Sequence, residues 1–171
     1  MIVAVTLEEV LLNRERRAER QQTMARRTGA ALLSFTMCIP GPVKTGPRIV
    51  AAFAMGLQST LDALKEHRLE IVAIESLSEN TGPEGLIAVN GDPLRLKELT
   101  WAIEENHPCG RLFDLDVLDR RLTPFSRRQI GKPERSCLIC DQPAHECARA
   151  RRHSPEELRK AVRKFLMKAT V

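Results

Sequence analysis

Along this chain apolar positions recur with two periods, three-to-four residues and two, and each change of period marks a new element. Thr6 and Glu9 have the spacing of a capping box, and residues 7–28 follow without a breaker, rich in Arg, Glu, Gln and Ala. A helix is predicted there, with an apolar stripe so thin that it reads as a solvated surface helix. The apolar run over 31–38, ended by Pro40-Gly41-Pro42, predicts a buried strand and a sharp turn. From Pro47 onward, Val50, Phe53, Leu57, Leu61 and Leu64 fall at helical spacing. Residues 69–77 and 85–90 read as two strands joined by the loop 79–84. Asp92 and Pro93 open a further helix with Leu96, Leu99 and Ile103 on one face, closed by His107-Pro108. Residues 111–118 form another strand, and Ser154, Pro155 and Glu157 begin a last helix with Leu158, Val162, Phe165 and Leu166 on one side.

After the first helix the order is β-α-β-β-α-β. The expected class is therefore α+β, a ferredoxin-like or palm-like sandwich flanked by N- and C-terminal helices. The length of 171 residues predicts one domain over 1–171, with a small Cys-rich appendage at 136–153. No apolar run reaches the roughly 20 residues of a membrane span, and the charged N-terminal region does not resemble a signal peptide; no membrane partner and a cytoplasmic location are expected.

Charge changes the picture. The net of +5 is unevenly spread: residues 1–110 carry 12 Lys and Arg against 14 Asp and Glu, and residues 111–171 carry 15 against 8. Such a basic C-terminal third suggests an anionic partner. Within it, Gly110 to Leu118 alternates so that Phe113, Leu115 and Val117 share one face while Asp114 and Asp116 share the other, their Cα atoms about 7 Å apart. A lone Asp-x-Asp often marks only the wet face of an edge strand. Here it is flanked by Leu112 and Leu118 and followed by a basic run that includes Arg127 and Arg128. Carboxylates so placed can share Mg²⁺, and the combination suits a polyphosphate substrate.

Cys137, Cys140, Cys147 and His153 follow as C-x2-C-x6-C-x5-H, the ligand types of a closed structural Zn²⁺ site, with His145 as an alternative fourth ligand. Cys38 reads as a small core residue. Lys44 stands on the stiff Pro40-Gly41-Pro42 loop, and Gly82 to Gly85 form a turn whose backbone N–H groups could meet an anion. A basic zinc-ribbon module for nucleic acid is the competing interpretation. Only 4% of the residues are aromatic, which argues against it, since single strands are held largely by stacking.

The blocks Pro40-Gly41-Pro42-Val43-Lys44, Gly82-Pro83-Glu84-Gly85, His107-Pro108 with Gly110 to Val117, and Ser136 to Cys140 with Cys147 occur in that order. In them the chain resembles the citrate lyase holo-acyl-carrier-protein synthases, the apo-citrate lyase phosphoribosyl-dephospho-CoA transferases. The resemblance implies that a serine of the apo acyl carrier (gamma) subunit of citrate lyase attacks triphosphoribosyl-dephospho-CoA at the phosphate nearest the ribose, with pyrophosphate leaving. It implies Asp114 and Asp116 as metal-binding carboxylates, by analogy also with the related transferase of malonate decarboxylase. Asp116 is a candidate acceptor for the serine proton. Arg111 is the further catalytic candidate, and Lys44, Gly82, Glu84, Arg127 and Arg128 are candidates for binding the substrate. An inactive relative that only binds the carrier is a third possibility. No nucleic-acid partner is expected.

Overall fold

The computed structural model describes residues 3–169. Its frame is an antiparallel sheet of β1 (Ala31–Met37), β2 (Glu70–Glu79), β3 (Gly82–Asn90), β4 (Phe113–Leu118) and a two-residue β5 (Pro124–Phe125), in the order β2-β3-β1-β4-β5. Two crossover helices, α2 (Pro47–Glu66) and α3 (Pro93–Asn106), join β1 to β2 and β3 to β4. Each crossover skips one strand of the sheet, the split βαβ of the ferredoxin-like fold. The β-α-β-β-α-β order expected from the sequence is thus the order of the molecule.

Both crossover helices cover one face of the sheet. Leu33 and Phe35 of β1, Ile87 and Val89 of β3, and Leu115 and Val117 of β4 point into it and are fully buried. Phe35 stacks on Phe53 and meets Phe113 edge-on, with centroids 4.7 and 5.1 Å apart. Gly56 of α2 makes this possible, because a Cβ there would lie 2.5 Å from the Phe113 ring. The last helix, α5 (Pro155–Leu166), closes the end of this core with Val162 and Leu166, after the capping box of Ser154 and Glu157 that the sequence predicts.

The opposite face belongs to α1 (Leu7–Thr28), which starts at the Thr6–Glu9 capping box. Expected as a solvated surface helix, it instead lies across the sheet. Its C-terminal end buries Met24 and Ala25 against Leu32, Leu86 and Ala88, and Gly29 stops it in the left-handed conformation. The thin stripe has a reason: only this end of α1 meets apolar sheet, and the first half lies over polar groups.

Some boundaries move. β2 and β3 are joined by Asn80 and Thr81 alone, so Glu84, expected in a loop, is a strand residue. A 3-10 turn, Gly110–Leu112, precedes β4 and places Arg111 outside the strand. Short α4 (Ala144–Arg149) lies inside the Cys-rich segment. Among the described residues no helix is long and apolar enough to cross a membrane.

Candidate active site

Strand alternation decides where the two carboxylates go. In the β1–β4 register Asp114 pairs with Thr36 and Asp116 with Ser34, so both acids lie on the α1 face, backed by a buried apolar face. They line a groove of about 530 Å³ between the sheet and the first half of α1. Lys44, Gly82 and Glu84 line the same groove, so these three sequence candidates do join the Asp pair. So do Arg14 and Arg17 of α1, which sequence reasoning did not single out.

The groove is electrostatically uneven. The Asp116 carboxyl is pushed up to about 6, first by the protein walls that displace water around it and then by the charge of Asp114; Lys97 and Arg135 oppose this. Lys44 is lowered by partial removal from water and by Arg14, while Cys38 acts in the other direction. Its ammonium donates to the Ile39 carbonyl at 2.5 Å, which fixes it beside the groove. Glu84 is buried and already engaged. It accepts from Asn13 at 2.6 Å and pairs with Arg20 and, at 3.6 Å, with Arg17. It therefore anchors α1 over the groove, and its burial comes from its place in β3.

β4 itself is held by charges from the other face. β5 pairs only with Val117 and Leu118, which leaves the outer edge of β4 open at Phe113 and Leu115. Glu104 of α3 accepts from the Leu115 N–H at 2.8 Å, and buried Lys97 donates to the Leu115 carbonyl at 3.2 Å. Arg135 donates to the Phe113 carbonyl at 2.5 Å and pairs with Glu104 at 2.9 Å. The backbone between the two acids is thus clamped by side chains in place of a strand. Lys97 and Glu104 stand two helical turns apart beside Leu96, Leu99 and Ile103, a charged pair at core spacing that was the available sequence signal.

The remaining candidates lie elsewhere. Arg127 is locked to Glu104 at 2.5 Å and Glu105 at 2.8 Å, and exposed Arg128 pairs with Glu134. Neither lines the Asp groove. Arg111 donates to the carbonyls of Ser136 at 2.7 Å and Cys137 at 3.0 Å, bracing the Cys-rich segment against β4. Cys38, expected in the core, is exposed: β1 ends at Met37, and the next side chain falls on the groove side of the sheet.

The Cys-rich segment brings Cys137, Cys140, Cys147 and His153 together, their ligand atoms all within 4.8 Å of one another. Cys140 Sγ lies 3.6 Å from Cys147 Sγ and 3.3 Å from His153 Nε2. Ligands about 2.3 Å from a tetrahedral zinc are separated by about 3.8 Å, so the group has the dimensions of a closed metal site. His153, not His145, completes it; His145 Nδ1 instead lies 3.3 Å from Glu134. Burial raises the Cys137 thiol, but N–H donors of Ile139 and Cys140 and the neighbouring thiols bring it down to about 7. Cys147 is pushed up to about 11 by burial and by the sulfurs beside it.

Residues 5–169 match the family model described as apo-citrate lyase phosphoribosyl-dephospho-CoA transferase. The chain belongs to this family. Among its relatives, a protein of that name from Citrobacter koseri is 36% identical over 155 residues, covering 91% of this chain and 85% of its own length. A probable member from Streptococcus pyogenes is 38% identical over 167 residues, 95% of this chain and 86% of the relative. One from Vibrio cholerae is 36% identical over 157 residues, 91% and 88% respectively. The family match spans α1 and α5 as well as the central sheet, so the groove between α1 and the Asp strand lies wholly within it.

Proposed function

We propose that this chain transfers a phosphoribosyl-dephospho-CoA group to the acyl carrier subunit of apo-citrate lyase. A serine hydroxyl of that subunit attacks triphosphoribosyl-dephospho-CoA at the phosphate nearest the ribose. The serine oxygen–phosphorus bond forms as the hydroxyl proton passes to the Asp116 carboxylate, the bond to the next phosphate breaks, and pyrophosphate leaves. One observation carries this: Asp114 and Asp116 share a groove with Lys44, Arg14 and Arg17, and the third carboxylate there, Glu84, is buried and already engaged by Asn13, Arg17 and Arg20.

The donor set fits Mg²⁺, a hard cation that takes carboxylate oxygens and phosphates together, and Asp114 and Asp116 would hold it. Bound there, the ion supplies neutralisation of charge on the phosphates. The chain's own cations do the rest. Lys44, Arg14 and Arg17 bind the polyphosphate and orient it along the groove, and the clamp of Glu104 and Lys97 holds the Asp strand in register. Arg111 acts as a positioning residue, tying the Cys-rich segment to β4.

Cys137, Cys140, Cys147 and His153 hold a structural zinc ion, and about one zinc per chain is expected on elemental analysis of protein purified without chelator. The exposed basic side of α5, with Arg159, Lys160, Arg163 and Lys164, suits an acidic carrier protein.

The test mixes the chain with apo carrier subunit, the triphosphate donor and Mg²⁺, and weighs the carrier by mass spectrometry. The carrier should gain the prosthetic group's mass, and Asp114→Asn or Asp116→Asn should remove that gain while leaving the circular dichroism unchanged. Full transfer by the Asp116→Asn protein overturns the assignment.

A further inference from the structure

We propose that the Cys3His knuckle is one wall of a second binding site, which takes the dephospho-CoA end of the donor whose phosphates lie on the Asp pair. This rests on the transferase function proposed above. A second groove of about 510 Å³ opens between the knuckle and the start of α5. Cys137, Cys147 and His153 form one side, and Leu138, Pro155 and Leu158 give it an apolar lining. It meets the Asp groove at Cys38 and Pro40, which line both. The two grooves differ in chemistry as the two ends of the donor do. Carboxylates and cations face the reacting phosphates; the apolar walls beyond them suit a flat adenine ring and its attached chain.

The groove also offers a cation for the diphosphate of dephospho-CoA. Arg111 and Arg135 line it, but their guanidinium groups are engaged by backbone carbonyls and by Glu104. Arg151 is exposed at its rim. Its φ of 46° is left-handed, a conformation unfavourable for a non-glycine residue. That turn ends α4, with the Arg151 N–H donating to Ala148 and the Arg152 N–H to Cys147. It sends the chain back so that His153 reaches Cys140. One strained turn thus delivers both the fourth ligand of the cluster and a cation at the mouth of the groove. The wall has little apolar core of its own, so a metal on the four ligands would order the site.

Dephospho-CoA, which lacks the triphosphate, is the probe, titrated calorimetrically into the zinc-loaded full-length chain without Mg²⁺. Saturable binding is expected. Ala148→Trp, at an exposed position lining the groove, should weaken it by about tenfold or more, as should removal of the zinc. Arg151→Gly, which suits the backbone, should weaken it about tenfold, the worth of one charge-assisted hydrogen bond. Asp116→Asn should leave it unchanged. No binding, or binding untouched in an Ala148→Trp protein that retains its zinc, overturns the second site; so does equal loss in Asp116→Asn. Binding that behaves as expected in a protein unable to modify the carrier overturns the transferase function and leaves the nucleotide site standing. Carrier modification by Ala148→Trp with an unchanged KM for the donor overturns the site alone.

Discussion

Asp116 shows how a candidate site residue weighs on stability. Its carboxyl is held up to about 6 in the folded chain against an ordinary value of 3.8. Above about pH 6 it is charged in both folded and unfolded states, and the fold bears the cost of that charge; below about pH 4 it is protonated in both, and the cost is gone. In metal-free protein, Asp116→Asn should therefore raise the melting temperature at about pH 7 to 8 and make no difference at about pH 4. After allowance for screening in an open groove the gain is about 1 kcal/mol, or roughly 2–4 °C. A constant gain at both pH values would point to packing instead of charge. Glu104 is the opposite case, since it serves Arg127, Arg135 and the Leu115 N–H together. Glu104→Leu leaves part-buried Arg135 without its carboxylate and Arg127 with Glu105 alone, and should cost about 3–5 kcal/mol, lowering the melting temperature by roughly 10 °C in calorimetry. Retention of wild-type stability would show that the clamp is dispensable.

At the scale of elements, α1 and α2 are held in different ways. α2 approaches the sheet at Gly56, where Phe35 and Phe113 fill the space a side chain would need. Gly56→Ala gains helix propensity of about 1 kcal/mol but overpacks the core by about 1–3 kcal/mol, so net destabilisation is expected in urea unfolding. A more stable Ala variant would mean that the rings have slack. α1 is fixed by apolar contacts at its C-terminal end and, at its middle, by Glu84 with Asn13, Arg17 and Arg20. Glu84→Gln should loosen that attachment and speed amide exchange in the first half of α1 while sparing its last turns. Uniform protection along α1 would place the anchor elsewhere. Neither device shows as periodicity. The boundaries of α1, α2, α3 and α5 are legible because capping residues and Pro at first positions are local signals. What a helix lies against is not local.

For the whole molecule, the basic C-terminal third divides into two uses. Arg127 and Arg135 cross back to Glu104 and Glu105 of α3, so part of the excess neutralises acids of the first 110 residues. The exposed cations of α5 are the ones proposed above to meet the carrier. Lys160→Glu with Lys164→Glu should raise the KM for an acidic carrier about tenfold and flatten its salt dependence, with kcat unchanged. Unchanged KM in steady-state kinetics would remove α5 from the docking surface.

The order of elements, the shared face of Asp114 and Asp116, and the three cysteines of the Cys3His group were legible in the sequence, because capping, strand alternation and ligand spacing act over a few residues. Tertiary structure decided what those residues face. It put Lys44, Gly82 and Glu84 beside the acids, turned Glu84 inward as an anchor, and removed Arg111, Arg127 and Arg128 to other duties. It also chose His153 over His145 and brought Arg14 and Arg17 in from a helix that reads as mere surface. These outcomes depend on contacts between segments far apart in the chain, which sheet pairing and helix packing set and no local pattern carries.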